Sequence, residues 1–427
     1  MKICDDIIIN IMKSQVEQAR HLLRWPSTGN WLTAEAWGVY VTGLLFPEFK
    51  EAAAWRQYGI DSLYRQLQEE VYPDGLQFEL ALGYSNWTLR EFTDLYDAAV
   101  LNGMEHELPS DYASRLEKMY VYLMANVMPG AVAFALNDAG NSNVRRQLMD
   151  GYRLFKRPEF LFAATDGQAG EPPVTDSFGQ EWVGHYVMRS GWHPQANVLH
   201  MDAGLQGRGH IHQDKLTLAL AAYGQQLLVD GGVTMYDKSR WRAYQLLTRA
   251  HNTVLVDGMD QFGENAMAAK VWPLPWAGDR PADSDTLWHS SPGVDYCQGW
   301  WKGRWREYVD SQNPATNATR VLDTVQHRRA VLFIKPGLWV VHDTLFATNQ
   351  EPHTAEVLYH IDAETAAAAD DGGVAILATN KDKAGLRLAA RPQPELTVEI
   401  VTGKMEPPVQ GWSANVRRNR QKGIPMS

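Results

Sequence analysis

Cysteine is nearly absent from this chain of 427 residues, which holds only Cys4 and Cys297. Two cysteines cannot build a disulfide framework, so stability must come from a buried core, and the redox compartment stays open. A surplus of positive charge is also missing. Fifty acidic residues stand against 40 Lys plus Arg, a formal charge of −10, so no global basic field recruits nucleic acid or an anionic membrane. An acidic ligand would have to be held by local cations. No apolar run approaches the ~20 residues needed to span a bilayer. The start, Met1 to Asn10, places Ile7-Ile8-Ile9 behind Asp5 and Asp6. It lacks a basic n-region, a long apolar core and a cleavage site, so no signal peptide is expected and a soluble chain is. Internal repeats are lacking too, and low complexity is confined to a small Ala/Asp patch at Ala366–Asp371.

What is present is a globular composition, 45% hydrophobic and 21% charged, in a length that suits two or three domains. Aromatic residues are plentiful, with 16 Trp, 17 Tyr and 12 Phe; flat rings suit large cores or sugar-stacking surfaces. The first part of the chain, to about residue 160, has helical texture. Over Ala52–Glu70 the residues Trp55, Tyr58 or Gly59, Leu63 and Leu67 recur at helical spacing, and Tyr72-Pro73-Asp74-Gly75 ends the pattern. Trp87–Leu101 and Tyr112–Val127 are expected to be further helices, the latter stopping before Pro129-Gly130. The Gly-, Pro- and Asp-rich tract Ala163–Ser177 is the best linker candidate. After it, short runs of β-formers alternate with Gly, Asp and Asn turns: Asn197–Met201, Leu216–Ala221, Gln226–Val229, Thr253–Val256, Ala330–Ile334 and Leu338–Val341. That density points to a sheet-rich sandwich. The end, Arg417–Lys422, is basic and expected to fray.

The most informative segment is Gly207–Asp214, Gly-Arg-Gly-His-Ile-His-Gln-Asp. On a strand, His210, His212 and Asp214 would share a face. Asp230 follows the run Leu227-Leu228-Val229 and precedes Gly231-Gly232, and His251 enters the run Thr253–Val256. Imidazoles and one carboxylate, each at a strand end or on a strand face, suit Zn²⁺. Hydrogen-bonded histidines and ordinary Asp-Gly turn chemistry account for the same residues without a metal.

This order of motifs, His-x-His-x-Asp, then Leu-Leu-Val-Asp-Gly-Gly with Tyr236 shortly after, then Arg-Ala-His-Asn-Thr-Val, resembles the C-terminal part of heparinase II/III-like polysaccharide lyases. Tyr186–Trp192, His327-Arg328-Arg329, Lys335–Trp339 and His342-Asp343 are similar to that family's sandwich strands. Gly29-Asn30-Trp31 with Glu35, Leu44–Phe49, and Pro73-Asp74-Gly75 with Glu79 and Gly83-Tyr84 resemble the last helices of its (α/α) toroid. The resemblance runs from about residue 25 to 360. It implies an α plus β architecture: a toroid over 1–165, shortened at its N-terminus, a linker over 166–180, and an antiparallel β-sandwich over 181–427, with an active cleft between the two domains.

The resemblance also implies chemistry: β-elimination on a uronate-containing polysaccharide or oligosaccharide. The uronate carboxylate is neutralised, the C5 proton is removed, and the departing glycosidic oxygen is protonated. By the same resemblance Tyr84 is base and acid, Asn30 and His210 grip the carboxylate, and Tyr236 is a second cleft tyrosine. Glu79, Arg208, Arg249 and Trp31 become candidate substrate contacts. His212, Asp230 and His251 become ligands of a structural Zn²⁺. Arg208, Lys215, Lys238, Arg240, Arg242 and Arg249 surround the histidine motifs in sequence and would serve an acidic substrate if several face it. The chain departs from the pattern at Ser85 and Trp31, where family members often have His, so His210 would carry any imidazole role. The family is usually periplasmic or secreted. Two other readings use the same residues: a catalytically silent carbohydrate-binding protein of this fold, and a zinc-dependent glycan hydrolase. Neither nucleic acid nor a membrane is an expected partner, and the oligomeric state is left open.

Overall fold

The computed structural model describes residues 5–204, 206–263, 285–307, 320–368, 374–380 and 384–414. Cys4 and the basic end at Arg417–Lys422 lie outside the described residues. The chain divides into two compact units, one of residues 5–78 with 83–121 and another of residues 79–82 and 122 onward. This compact division falls near residue 121, whereas composition singled out the tract 163–177 as linker; that tract carries no helix beyond Ala164 and no strand.

The first unit is built on helices α1 (Asp5–Arg24), α2 (Asn30–Leu45), α3 (Ala52–Glu69), α4 (Leu82–Leu101) and α5 (Tyr112–Ala125). Helix α3 buries Trp55, Gly59, Leu63 and Leu67, with Ile60 between them. Of the two residues the spacing offered at one position, Gly59 takes the buried face because the neighbouring helix lies too close for a side chain. A Cβ there would stand 2.6 Å from the Tyr40 Cβ and 2.8 Å from the Ala36 carbonyl oxygen of α2. Gly75 ends the stretch after α3 with φ +103°, donating to the Tyr72 carbonyl at 2.8 Å; a left-handed residue packed this tightly is glycine's role. Among the described residues no helix is long and apolar enough to cross a membrane.

The second unit opens with three two-residue strands, β1 (Val127–Met128), β2 (Val132–Ala133) and β3 (Ser142–Asn143), and helices α6 (Arg145–Phe155) and α7 (Pro158–Ala164). A five-stranded antiparallel sheet follows, β4 (Phe178–Gln180), β5 (His185–Arg189), β6 (Val198–Asp202), β7 (Leu218–Ala222) and β8 (Gln225–Leu228), bonded in chain order. Helix α8 (Arg240–Gln245), β9 (Val254–Val256) and β10 (Asp260–Phe262) come next. Then come β11 (Leu287–Ser290), β12 (Val294–Trp301), β13 (Arg304–Arg306), β14 (Val321–Leu322), β15 (Val325–Ile334), β16 (Leu338–Ala347) and β17 (Ala355–Val357). Strands β11-β12-β15-β16 form a second antiparallel sheet, and β17 pairs with β9. The apolar runs expected to be strands overlap β6, β7, β8, β9, β15 and β16.

Burial explains the two textures of these strands. Strands β5, β6 and β7 are buried at every residue, as in a sheet covered on both faces. Strands β12 and β15 alternate with period two, as in a sheet with one wet face. Tyr186, Met188, Leu199, Met201, Leu218 and Leu220 meet Cys297, Val331 and Phe333 in one core; each fully buried side chain of this size contributes about 1.5–3 kcal/mol. The opposite face of the five-stranded sheet is polar yet buried. There His185 Nδ1 lies 2.6 Å from the Tyr122 hydroxyl, and Lys215 Nζ donates to Asp202 at 2.8 Å.

Candidate active site and metal centre

Residues 206–217, between β6 and β7, form no strand. The expectation that His210, His212 and Asp214 share a strand face is therefore overturned. Gly209, at φ +83°, and a bond from the His210 amide to the Arg208 carbonyl at 3.0 Å turn the chain instead. The two histidines still converge, because a residue far away in sequence draws them together. His210 Nδ1 lies 2.9 Å from Asp138 Oδ2, and His212 Nε2 lies 2.8 Å from Asp138 Oδ1. Arg242, on α8, donates to both Asp138 oxygens, one of these bonds at 2.8 Å. Burial opposes ionisation of Asp138, but its bonds from His210, His212 and Arg242 outweigh it and hold the carboxyl far below the usual range. Asp214 bonds to neither histidine, and neither of its carboxylate oxygens has a hydrogen-bond partner. It is fully buried, and burial pushes its carboxyl up against the opposing pull of Lys215 and His251.

Around His210 the structure gathers two more of the expected residues. Glu79 is buried, 8% exposed, with a carboxylate oxygen 3.9 Å from His210 Nε2. The Tyr236 ring meets His210 edge-on at 5.8 Å, and the Arg242 guanidinium lies over that ring at 5.0 Å. Arg249 goes elsewhere. It was expected among substrate contacts, but its guanidinium is buried and bonded to Asp260 at 3.0 and 3.2 Å and to the Gly258 carbonyl. Lys215 is likewise committed to Asp202, whereas Arg208, Lys238 and Arg240 are exposed.

His212, Asp230 and His251 offer ligand atoms that all lie within 4.8 Å of one another, and all three are buried. His251 Nδ1 is 2.8 Å from Asp230 Oδ2, and its Nε2 faces the Gln245 carbonyl at 3.1 Å. Burial would depress this imidazole, but the Asp230 carboxylate reverses that and raises it to about 9. The other imidazole carries the test of fit. His212 is 0% exposed, its Nε2 is held by Asp138, and its Nδ1 has no hydrogen-bond partner. A buried nitrogen left with a lone pair, beside a carboxylate and a second imidazole, is the donor set of a zinc site. Asp138 and the Gln245 carbonyl would hold the outer nitrogens of the two rings, as partners of metal-bound histidines do.

In the first unit, Asn30 is the first residue of α2, with Gly29 as its cap. Gln66 donates to the Gly29 carbonyl at 2.8 Å, and Glu35 accepts from Ser27 through its amide at 2.8 Å and its hydroxyl at 2.6 Å. This pins the Gly-Asn-Trp entry, and leaves Trp31 73% exposed. Tyr84 is half-buried near the start of α4, and Ser85 beside it is buried.

Two family models match the chain: Heparinase II/III N-terminus over residues 1–161, and Heparinase II/III-like, C-terminal over residues 172–407. The chain belongs to the heparinase II/III family. A heparin-sulfate lyase from Bacteroides stercoris is 28% identical over 344 residues, which are 78% of this chain and 46% of that protein. Another from Pedobacter heparinus is 29% identical over 299 residues, 68% of this chain and 45% of that protein. The chain thus spans less than half the length of these curated relatives. Among solved structures, the heparinase III BT4657 gene product matches with a TM-score of 0.78 at 24% identity, over 97% of this chain and 59% of that one. The heparan sulfate lyase HepC from Pedobacter heparinus matches at 0.68 and 23%, over 87% and 56%. At these identities the likeness is one of fold, a helical N-terminal part with a β-rich C-terminal part.

Within this heparinase II/III-family chain, sequence reasoning missed Asp138, Asn137 and Gln245. Asn137 accepts from the His212 amide at 2.9 Å and donates to the Leu80 carbonyl at 3.2 Å. Asn137-Asp138-Ala139-Gly140 looks like a turn, and nothing local marks its carboxylate as the partner of two histidines.

Proposed function

We propose that this chain acts on a uronate-containing acidic polysaccharide of the glycosaminoglycan type and cleaves it by β-elimination, on a toroid-plus-sandwich scaffold. Its family membership and its heparin-sulfate lyase relatives support that class. The observation that carries the reading is the setting of His210: its Nδ1 faces the buried Asp138 carboxylate, which can only accept, while its Nε2 is turned toward Glu79 and its ring meets the edge of Tyr236. Exposed Arg208, Lys238 and Arg240 provide local cations that a net negative chain needs to hold an anionic polymer.

In this reading Tyr84 takes the C5 proton, the electron pair forms the C4–C5 double bond, the C4–oxygen bond breaks, and the leaving oxygen receives a proton. Asn30, at the positive end of α2, and His210 stabilise the carboxylate as it gains enediolate character. Tyr236 is the second tyrosine, and Glu79 and Trp31 contact the substrate. His212, Asp230 and His251 hold one zinc, whose contribution is structural, fixing the loops that carry His210 and Tyr236.

The test is a panel of uronate polymers, heparan sulfate first, read by the ultraviolet absorbance of the unsaturated uronate. Elimination creates that chromophore; hydrolysis or mere binding does not, and its absence with every polymer would overturn the reading. Asn30→Ala and His210→Ala are each expected to lower kcat roughly 10²–10³-fold, about 3–4 kcal/mol, with KM moving less. Melting temperature measured beside turnover separates this from lost stability, and an Asn30→Ala protein as active and stable as its parent would remove Asn30 from the mechanism.

Protein purified without chelator is expected to hold about one zinc per chain by elemental analysis, because three buried N and O donors suffice to hold it with the fourth position left to water or another donor. Stripping it should lower the melting temperature, because a ligand bound only by the native state stabilises it. A zinc-free preparation whose melting point ignores added zinc would remove the metal from the reading.

A further inference from the structure

We infer that Asp138 is a positioning residue that joins the zinc site to His210, so that one carboxylate orients both the imidazole meant for the substrate and the imidazole meant for the metal. The inference rests on the proposed roles of those two histidines, but its geometry stands independently. The Asp138 side chain is 0% exposed. A carboxylate has about four lone-pair sites, and here four donors use them: His210 Nδ1, His212 Nε2 and two nitrogens of Arg242.

The two histidines are gripped by opposite nitrogens, and that is the central point. An ionised carboxylate only accepts, so the nitrogen facing it carries the proton in each ring. His210 is left with Nε2 on a side chain 21% exposed, turned toward Glu79. His212 is left with the buried, partnerless Nδ1 that completes the set with Asp230 and His251. A single acceptor thus selects complementary tautomers in residues two apart. The main chain reinforces the grip. The Asp138 amide donates to the His210 carbonyl at 3.3 Å, and Asn137 holds the His212 amide. Arg242 closes a ring by lying over Tyr236, which itself meets His210.

The substitution that reads this is Asp138→Asn, nearly isosteric but with an amide that donates on one side. Its NH₂ must then confront one of the imidazole N–H groups. Zinc affinity, measured by competition with a chromophoric chelator, should weaken about 10–100-fold, as for other outer partners of metal-bound histidines. At saturating zinc, kcat should still be down about 10²-fold or more with KM less affected, because His210 has lost its tautomer control. The ¹⁵N shifts of the His210 imidazole, assigned against His210→Ala, should show loss of the Nδ1–H form. Should the single variant fold poorly because Arg242 is left unpaired, Asp138→Asn/Arg242→Gln removes both charges and should give the same results. Unchanged zinc affinity, or an unchanged His210 tautomer, in a folded variant would overturn the inference. The chelator and NMR measurements need no turnover, so they decide it even if the parent protein cleaves no uronate polymer.

Discussion

Tyr84→Phe is expected to lower kcat on a uronate polymer by about 10²–10⁴-fold, the usual contribution of a positioned proton-transfer group, while KM and melting temperature stay near the parent values. The reasoning starts from the side chain. Phenylalanine keeps the ring, so packing of this half-buried residue at the start of α4 is retained. The hydroxyl alone is lost, and with it any proton shuttle. A phenol with a pKa near 10 needs a cation or a good hydrogen-bond donor nearby before it can act as a base at neutral pH. The bound substrate's neutralised carboxylate is part of that setting, so the loss should appear in kcat and not in binding. A Tyr84→Phe protein that turns over at near-parental rates would move the base elsewhere, with His210 the next residue to test.

Arg329→Met should destabilise the protein by up to about 3 kcal/mol, the low end for breaking a buried ion pair because Asp343 keeps some contact with water, against a total stability of only about 5–15 kcal/mol. Arg329, on β15, stands opposite Asp343 on β16 and donates to it at 2.7 and 3.0 Å. Its remaining nitrogen donates to the Leu216 carbonyl at 2.8 Å and the Asn252 carbonyl at 2.6 Å. Those carbonyls belong to the segment after His212 and to the residue after His251. The variant would therefore leave a partly buried carboxylate and two buried carbonyls short of a donor, beneath the segments that carry His212 and His251. Urea unfolding should show the lower midpoint, and added zinc should recover part of it; a midpoint within error of the parent would refute the assignment. The acid limb should change too. Burial opposes ionisation of Asp343, but Arg329 and His327 hold its carboxyl well below the usual range. The stability this carboxylate contributes is present above the unfolded value near pH 4 and is lost as pH falls below it. In Arg329→Met that acid loss should be smaller.

Local patterns in the sequence determined much of the architecture, because they report short-range physics. The period of Ala52–Glu70 is a helix that ends one residue earlier, and the runs of β-formers overlap strands because burial in a sheet selects them. The resemblance to the heparinase II/III family named His212, Asp230 and His251, and the fold brings their ligand atoms within 4.8 Å of one another. Two local inferences failed where the determining forces were not local. Alternation put His210, His212 and Asp214 on one strand face, but Gly209 turns the chain there and hydrogen bonds to a distant carboxylate aim the two imidazoles. Arg249 looked like one more cation beside a histidine motif, yet Asp260 buries it. Asp138 precedes His210 by 72 residues and His212 by 74, and in sequence it is an ordinary turn aspartate. Only the tertiary structure could decide which nitrogen of each histidine is held and which is left to act, because that choice depends on an acceptor brought in by the fold.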